Sequence, residues 1–107
     1  MNKQQLRQRN DGLRQLQNAY GEALRDEEQA AKMYGNLISS AQNKGFLTGE
    51  TQARQIREQE LHHAETLKKL SRALDVEIAE NEKAATRLEE EERKKSQVKD
   101  PNRRYGR

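Results

Sequence analysis

An apolar residue returns every third or fourth position along the first half of the chain: Leu13, Leu16, Tyr20, Ala23, Ala30, Tyr34, Leu37 and Ala41. That alternation keeps one face of an α-helix apolar and closes every seventh residue, whereas a strand would need alternation every second residue. The second half repeats it with Ala53, Ile56, Leu67, Leu70 and Leu74. Between the two runs, "NKGFLTGE" (43–50) is the one convincing turn. Gly45 stands where a left-handed helix stop belongs, and Thr48 is a candidate cap for the second helix. Asp11 is the candidate N-cap of the first helix. The pattern therefore predicts an all-α chain: a flexible N-terminus at 1–10, then a long antiparallel two-helix hairpin over 11–74.

Beyond Leu74 the apolar content thins to Val76, Ile78, Ala84, Ala85 and Leu88, and "EEEERKK" (89–95) reads as a solvated face. Residues 75–95 are expected to be a C-terminal helical extension, either a continuation of the second helix or a third. The basic tail 96–107, "SQVKDPNRRYGR", has too little apolar surface to fold and is expected to be disordered. Its "RRYGR" end is either a solvated basic terminus or a docking peptide for a shell or other partner.

Composition narrows the function classes. With 31% hydrophobic and 36% charged residues, the core of a single hairpin is thin, so the helices are expected to complete it by forming a homodimer or higher homo-oligomer. The net charge of +3 comes from interspersed signs and lacks the dense basic stripe that nucleic acid requires. No cysteine is present, which removes disulfides, thiolate metal sites and cysteine nucleophiles. No stretch approaches a membrane span, and "MNKQQLRQRNDGLRQ" carries no signal-peptide core, so a cytoplasmic protein without nucleic-acid or membrane partners is expected.

Three polar residues interrupt the apolar seams: Glu27 in the first half, Glu60 and His63 in the second. An unpaired carboxylate in a buried seam costs several kcal/mol and needs a cation or a metal beside it. Singly, each could merely set register or stay wet, as seam polars in coiled coils do. Together they mean more. Glu27 and the Glu60–His63 pair stand at about equal chain distances from the turn, so an antiparallel hairpin brings all three to one level, about 25 Å from it at 1.5 Å per residue. Glu60 and His63 share a helix face at i, i+3, where both reach one ion. Carboxylate with imidazole suits iron, manganese or zinc. Carboxylate-bridged di-metal sites in four-helix bundles use one Glu from each of two helices and Glu-x-x-His from the other two. One hairpin holds half of that set, so a two-fold dimer forming a four-helix bundle would complete both site and core. His62 points about 100° away around the helix and is expected to be exposed.

"EEQAAKMY" (27–34), followed in the second helix by "ELHH" (60–63), resembles the first hairpin of the rubrerythrin branch of the ferritin-like superfamily. Glu27, Ala30, Tyr34, Glu60 and His63 match its pattern in type and spacing, over about residues 20–72. The lack of a second hairpin makes the chain similar to half-size members such as the encapsulated ferritins. The resemblance implies metal ligation by Glu27, Glu60 and His63, with Tyr34 near the metal as packing or in a redox role. It also implies two irons per dimer, with manganese or zinc as alternatives, and a ferroxidase that oxidises Fe(II) with oxygen or peroxide for iron detoxification or storage. An encapsulating shell or storage compartment would be a further partner. The rubredoxin-type domain of full-length members would need cysteines, which are absent. The competing reading is a non-catalytic coiled-coil scaffolding or assembly protein whose seam polars only set register.

Overall fold

A computed structural model of the chain describes residues 1–98, with side chains through Ser96. Two α-helices, α1 (Lys3–Asn43) and α2 (Leu47–Val98), flank a turn at 44–46, and no strand occurs among the described residues. The described residues are helical apart from the turn and the first two positions, as the seven-residue pattern predicts.

The first helix begins eight residues or so earlier than Asp11. Asn2 Oδ1 accepts the Gln5 backbone N–H at 2.8 Å, and Gln5 Oε1 accepts the Asn2 N–H at 3.0 Å. This reciprocal capping box satisfies two N-terminal donors at once. Residues 3–10, expected to be a flexible lead-in, are helical because the box starts them and the burial of Leu6 and Asn10 holds them. Residues 75–95 continue α2 without a break, and the helix reaches Val98 into the expected tail. The rest of that tail lies outside the described residues.

At the turn, Gly45 adopts φ +69°, the left-handed conformation that only glycine enters freely. The Phe46 N–H reaches the Ala41 carbonyl at 2.9 Å and the Gly45 N–H reaches Gln42 at 3.1 Å, the paired bonds of a Schellman stop. Thr48 is not the cap. The Phe46 carbonyl already accepts from the Glu50 N–H, and Thr48 lies within α2. Gly49 leaves room for the Phe46 ring, which would stand 2.5 Å from a Cβ there.

The chain divides into two compact units, and both helices pass through each. One, Leu16–Leu74, contains the turn. The other joins Met1–Gln15 to the chain from Asp75 onward. In the turn unit α1 and α2 are antiparallel, and the buried residues are Ala31, Ile38, Ala53, Ala64 and Leu74. In the other unit Leu6, Asn10 and Ala85 are buried, and ion pairs join the helices: Arg7 to Glu89 at 3.0 Å, Arg9 to Glu77 at 2.8 Å and Lys3 to Glu92 at 2.8 Å.

The seam inside the hairpin differs from the one read off the sequence. Ala31 and Ile38, outside the expected set, are buried, whereas Leu16 and Leu37, inside it, are 42% and 50% exposed. On α2, Ala64 is buried and Leu70 is 43% exposed. Both helices are apolar across two adjacent seven-residue stripes, and periodicity cannot say which stripe the partner helix covers. At Gly35 the nearest atom to an added Cβ is the Arg57 Nε, at an ordinary 3.6 Å, and no α2 backbone atom lies that close.

Candidate metal centre

Glu27, Glu60 and His63 come together as their spacing predicts. One ligand atom from each lies within 4.8 Å of the others. Glu27 is on α1 and the other two are on α2, one helical turn apart. Glu27 Oε1 stands 3.6 Å from His63 Nδ1. Both carboxylates are half-buried, while the His63 side chain is 57% exposed and gives the cluster an open side.

The electrostatics of the cluster are unsatisfied. Glu27 Oε2 is buried and has no hydrogen-bond partner among the described residues. The Glu60 carboxyl is pushed above the ordinary carboxylate range. The main cause is the neighbouring Glu27 carboxyl, which would accept a hydrogen bond from Glu60 only in its protonated form; desolvation and the Glu27 charge add to it, and His63 opposes. Two carboxylates placed this way share a proton or a cation. No lysine or arginine forms an ion pair with either carboxylate among the described residues, whereas Glu50, Glu82 and Glu89 are all held below the ordinary range by arginine and amide partners.

Tyr34 lines an apolar groove beside the turn with Leu37, Ala41, Phe46, Ala53 and Ile56, and no hydrogen bond joins it to the carboxylates among the described residues. His62 is exposed, as its helical phase predicts. Glu65 faces Lys68 at 3.5 Å on the surface.

The turn unit leaves a second apolar stripe uncovered beside the cluster. On α1 it runs through Leu16, Ala23, Ala30 and Leu37, every seventh residue; on α2 it runs through Ile56, His63 and Leu70. Leu16, Leu37, Leu70 and His63 are exposed, and the others are half-buried. The cluster therefore opens onto an apolar surface.

A polar centre in the other unit was not read from the sequence. Asn10, fully buried, donates to the Ile78 carbonyl at 3.0 Å and to Glu82 Oε1 at 3.1 Å, and accepts from Asn81 Nδ2 at 2.9 Å. Arg14 also reaches Glu82, at 3.2 Å. The signal was available: Asn10 precedes Gln17, Leu24, Ala31 and Ile38 at intervals of seven, and "NKQQ" at the chain start is a capping-box pattern. Starting the helix at Asp11 hid both.

No family model, curated protein or solved structure matches the chain. No described helix is long and apolar enough to cross a membrane.

Proposed function

We propose that the chain is half of a carboxylate-bridged di-metal centre: a two-fold dimer, a four-helix bundle of the ferritin-like kind, binds two Fe(II) ions between its subunits and oxidises them. The observation that carries this reading is the meeting of Glu27, Glu60 and His63, with a buried carboxylate oxygen left unpartnered and the cluster opening onto an uncovered apolar stripe. The donor set fits a divalent ion. Carboxylate oxygens and an imidazole nitrogen suit iron, manganese and zinc, and a 2+ charge would relieve the repulsion between the two carboxylates.

Glu27 and Glu60 would hold or bridge the ions and His63 would cap them from the open side. The Fe(II) ions are the substrate. Two of them give up one electron each, and the pair of electrons reduces dioxygen with two protons to hydrogen peroxide, or hydrogen peroxide with two protons to water. Carboxylate charge favours the ferric product, and the apolar surround excludes stray solvent. In this reading detoxification is the role of the dimer itself, and storage requires a larger compartment or shell. Tyr34, in its groove, serves packing.

Anaerobic Fe(II) titration followed by sedimentation tests the proposal. Two tightly bound irons per dimer, followed by oxidation on admitting oxygen, are expected. Glu60→Ala and His63→Ala should each abolish tight binding, and His62→Ala should leave it intact. A dimer that takes up no Fe(II), Mn(II) or Zn(II) would leave the scaffolding reading, in which the exposed stripe serves association alone.

A further inference from the structure

The turn end of the hairpin differs from the rest of the chain in charge. Between Gln29 and Arg57 stand four basic residues, Lys32, Lys44, Arg54 and Arg57, against one acidic residue, Glu50. The rest of residues 1–98 holds 13 basic and 16 acidic residues. Glu50 is itself taken, since it accepts from Arg54 at 2.9 Å and from Gln42 at 2.8 Å. The positive charge of this end is therefore not cancelled locally.

The apolar groove beside the turn lies at the same end. Its volume of about 390 Å³ falls within the range of small-ligand pockets, about 300–1,000 Å³. Lys44 is the one charged residue lining it among the described residues, and no acid pairs with the Lys44 side chain there. Phe46 is fixed as one wall. Its N–H donates to the Ala41 carbonyl at 2.9 Å, its carbonyl accepts from the Glu50 N–H at 3.0 Å, and its ring fills the space that a Cβ at Gly49 would take. The residue is nonetheless 60% exposed. A wall held in place and left uncovered costs a ligand little ordering on binding.

We propose that this groove binds a single-chain anionic amphiphile, a free alkyl carboxylate, with its chain against Phe46, Tyr34 and Ile56 and its head at the Lys44 ammonium. The chemistry follows from the two properties together. An uncharged apolar ligand would leave Lys44 without a partner, and a cationic one would meet the surplus of positive charge. An acidic peptide would bring several charges to a groove that offers one. Lysine carries its charge as a point on a flexible stem, which suits a carboxylate head at the rim.

The groove is separate from the metal cluster, because none of Glu27, Glu60 and His63 lines it. Leu37 and Ile56 belong both to the groove and to the uncovered stripe, so a second copy of the chain is the rival occupant.

Phe46 is the only phenylalanine, so its ring resonances report on the groove without ambiguity. Metal-free protein is titrated with decanoate below its micelle-forming concentration and followed by NMR, with sedimentation of the same samples. Saturable shifts of the Phe46 and Tyr34 rings at one decanoate per chain are expected, and none with decyltrimethylammonium. Lys44→Gln should weaken binding by roughly two- to fivefold, the worth of an exposed charge pair. Lys83→Gln, in the other unit, removes the same charge and should leave binding unchanged. Gly49→Ala displaces the Phe46 ring while favouring the helix, so it should lose decanoate in a chain that melts no earlier than the parent. Equal binding of both amphiphiles, or binding indifferent to Lys44 and Gly49, would overturn the proposal as unspecific adsorption. So would decanoate shifts that fade as the protein self-associates, which would give the groove to a second copy. Binding seen only with vesicles of anionic phospholipid would give it to a lipid surface and would overturn the proposal as well.

Discussion

Where the turn unit carries Leu16, Ala23, Ala30 and Leu37 at intervals of seven along α1, the same series continued toward the N-terminus carries Arg9 in the other unit. Along α2, Ile56, His63 and Leu70 give way to Glu77, Ala84 and Glu91. Arg9 and Glu77 pair with one another at 2.8 Å, so that unit meets water with its own ion pairs. The turn unit leaves its stripe apolar. The buried centres differ in the same sense: Asn10 is fully hydrogen-bonded, while Glu27 keeps a buried oxygen without a partner. One repeat thus has two uses. In one unit the buried polar side chain is answered within the chain; in the other a buried carboxylate oxygen and an apolar stripe are left open together.

The largest test of this contrast is loss of a ligand. Glu27→Ala should weaken Fe(II) binding by more than the roughly 10–100-fold that removal of a mere supporting partner costs. Arg9→Ala, in the self-satisfied unit, should leave iron affinity unchanged in the same titration. Equal losses from both would erase the distinction between the units.

Next in size is the buried asparagine. Asn10→Ala strips hydrogen bonds from Asn81 and Glu82 in a buried setting, and a loss of about 1–3 kcal/mol in urea unfolding is expected. Metal affinity should not follow it. A loss under about 0.5 kcal/mol, the range of neutral surface changes, would show that polar closure does not hold that unit together.

A smaller effect is expected at the turn. Gly45→Ala forces a side chain into a left-handed conformation at about 1–2 kcal/mol if nothing relaxes. Hydrogen exchange should place the loosening in the turn unit, with the amides near Ala85 unmoved.

The least in magnitude, though opposite in sign between the units, is the response to pH. Glu82 and Glu89 are held below the ordinary carboxylate range, by Asn10 with Arg14 and by Arg7, so folding favours their charged forms. Their contribution is present at neutral pH and is lost as pH falls through those lowered values. Glu60 is raised, so its contribution in the metal-free protein is present in acid and is lost as pH rises through its raised value. Mild acidification of the metal-free chain should therefore protect amides around Glu60 before it exposes those around Glu82. Metal should reverse the first response, because ligands bind it deprotonated.

The sequence alone determined that the chain is helical, where it turns, and which three side chains meet. Each of these comes from local rules: a seven-residue period, a glycine that tolerates positive φ, and equal chain distances from the turn. Even the true start of α1 was legible in Asn2 and Gln5, since capping acts over three residues. Which apolar stripe the hairpin covers was decided only by tertiary structure. Ala31 and Ile38 are as apolar as Leu16 and Leu37, and only the side from which α2 approaches separates them. The same holds for the unpartnered Glu27 oxygen and the bonded Asn10. A sequence shows that a polar residue sits on a seam, but its partners are set by the rotation of one helix against the other, which many residues settle together.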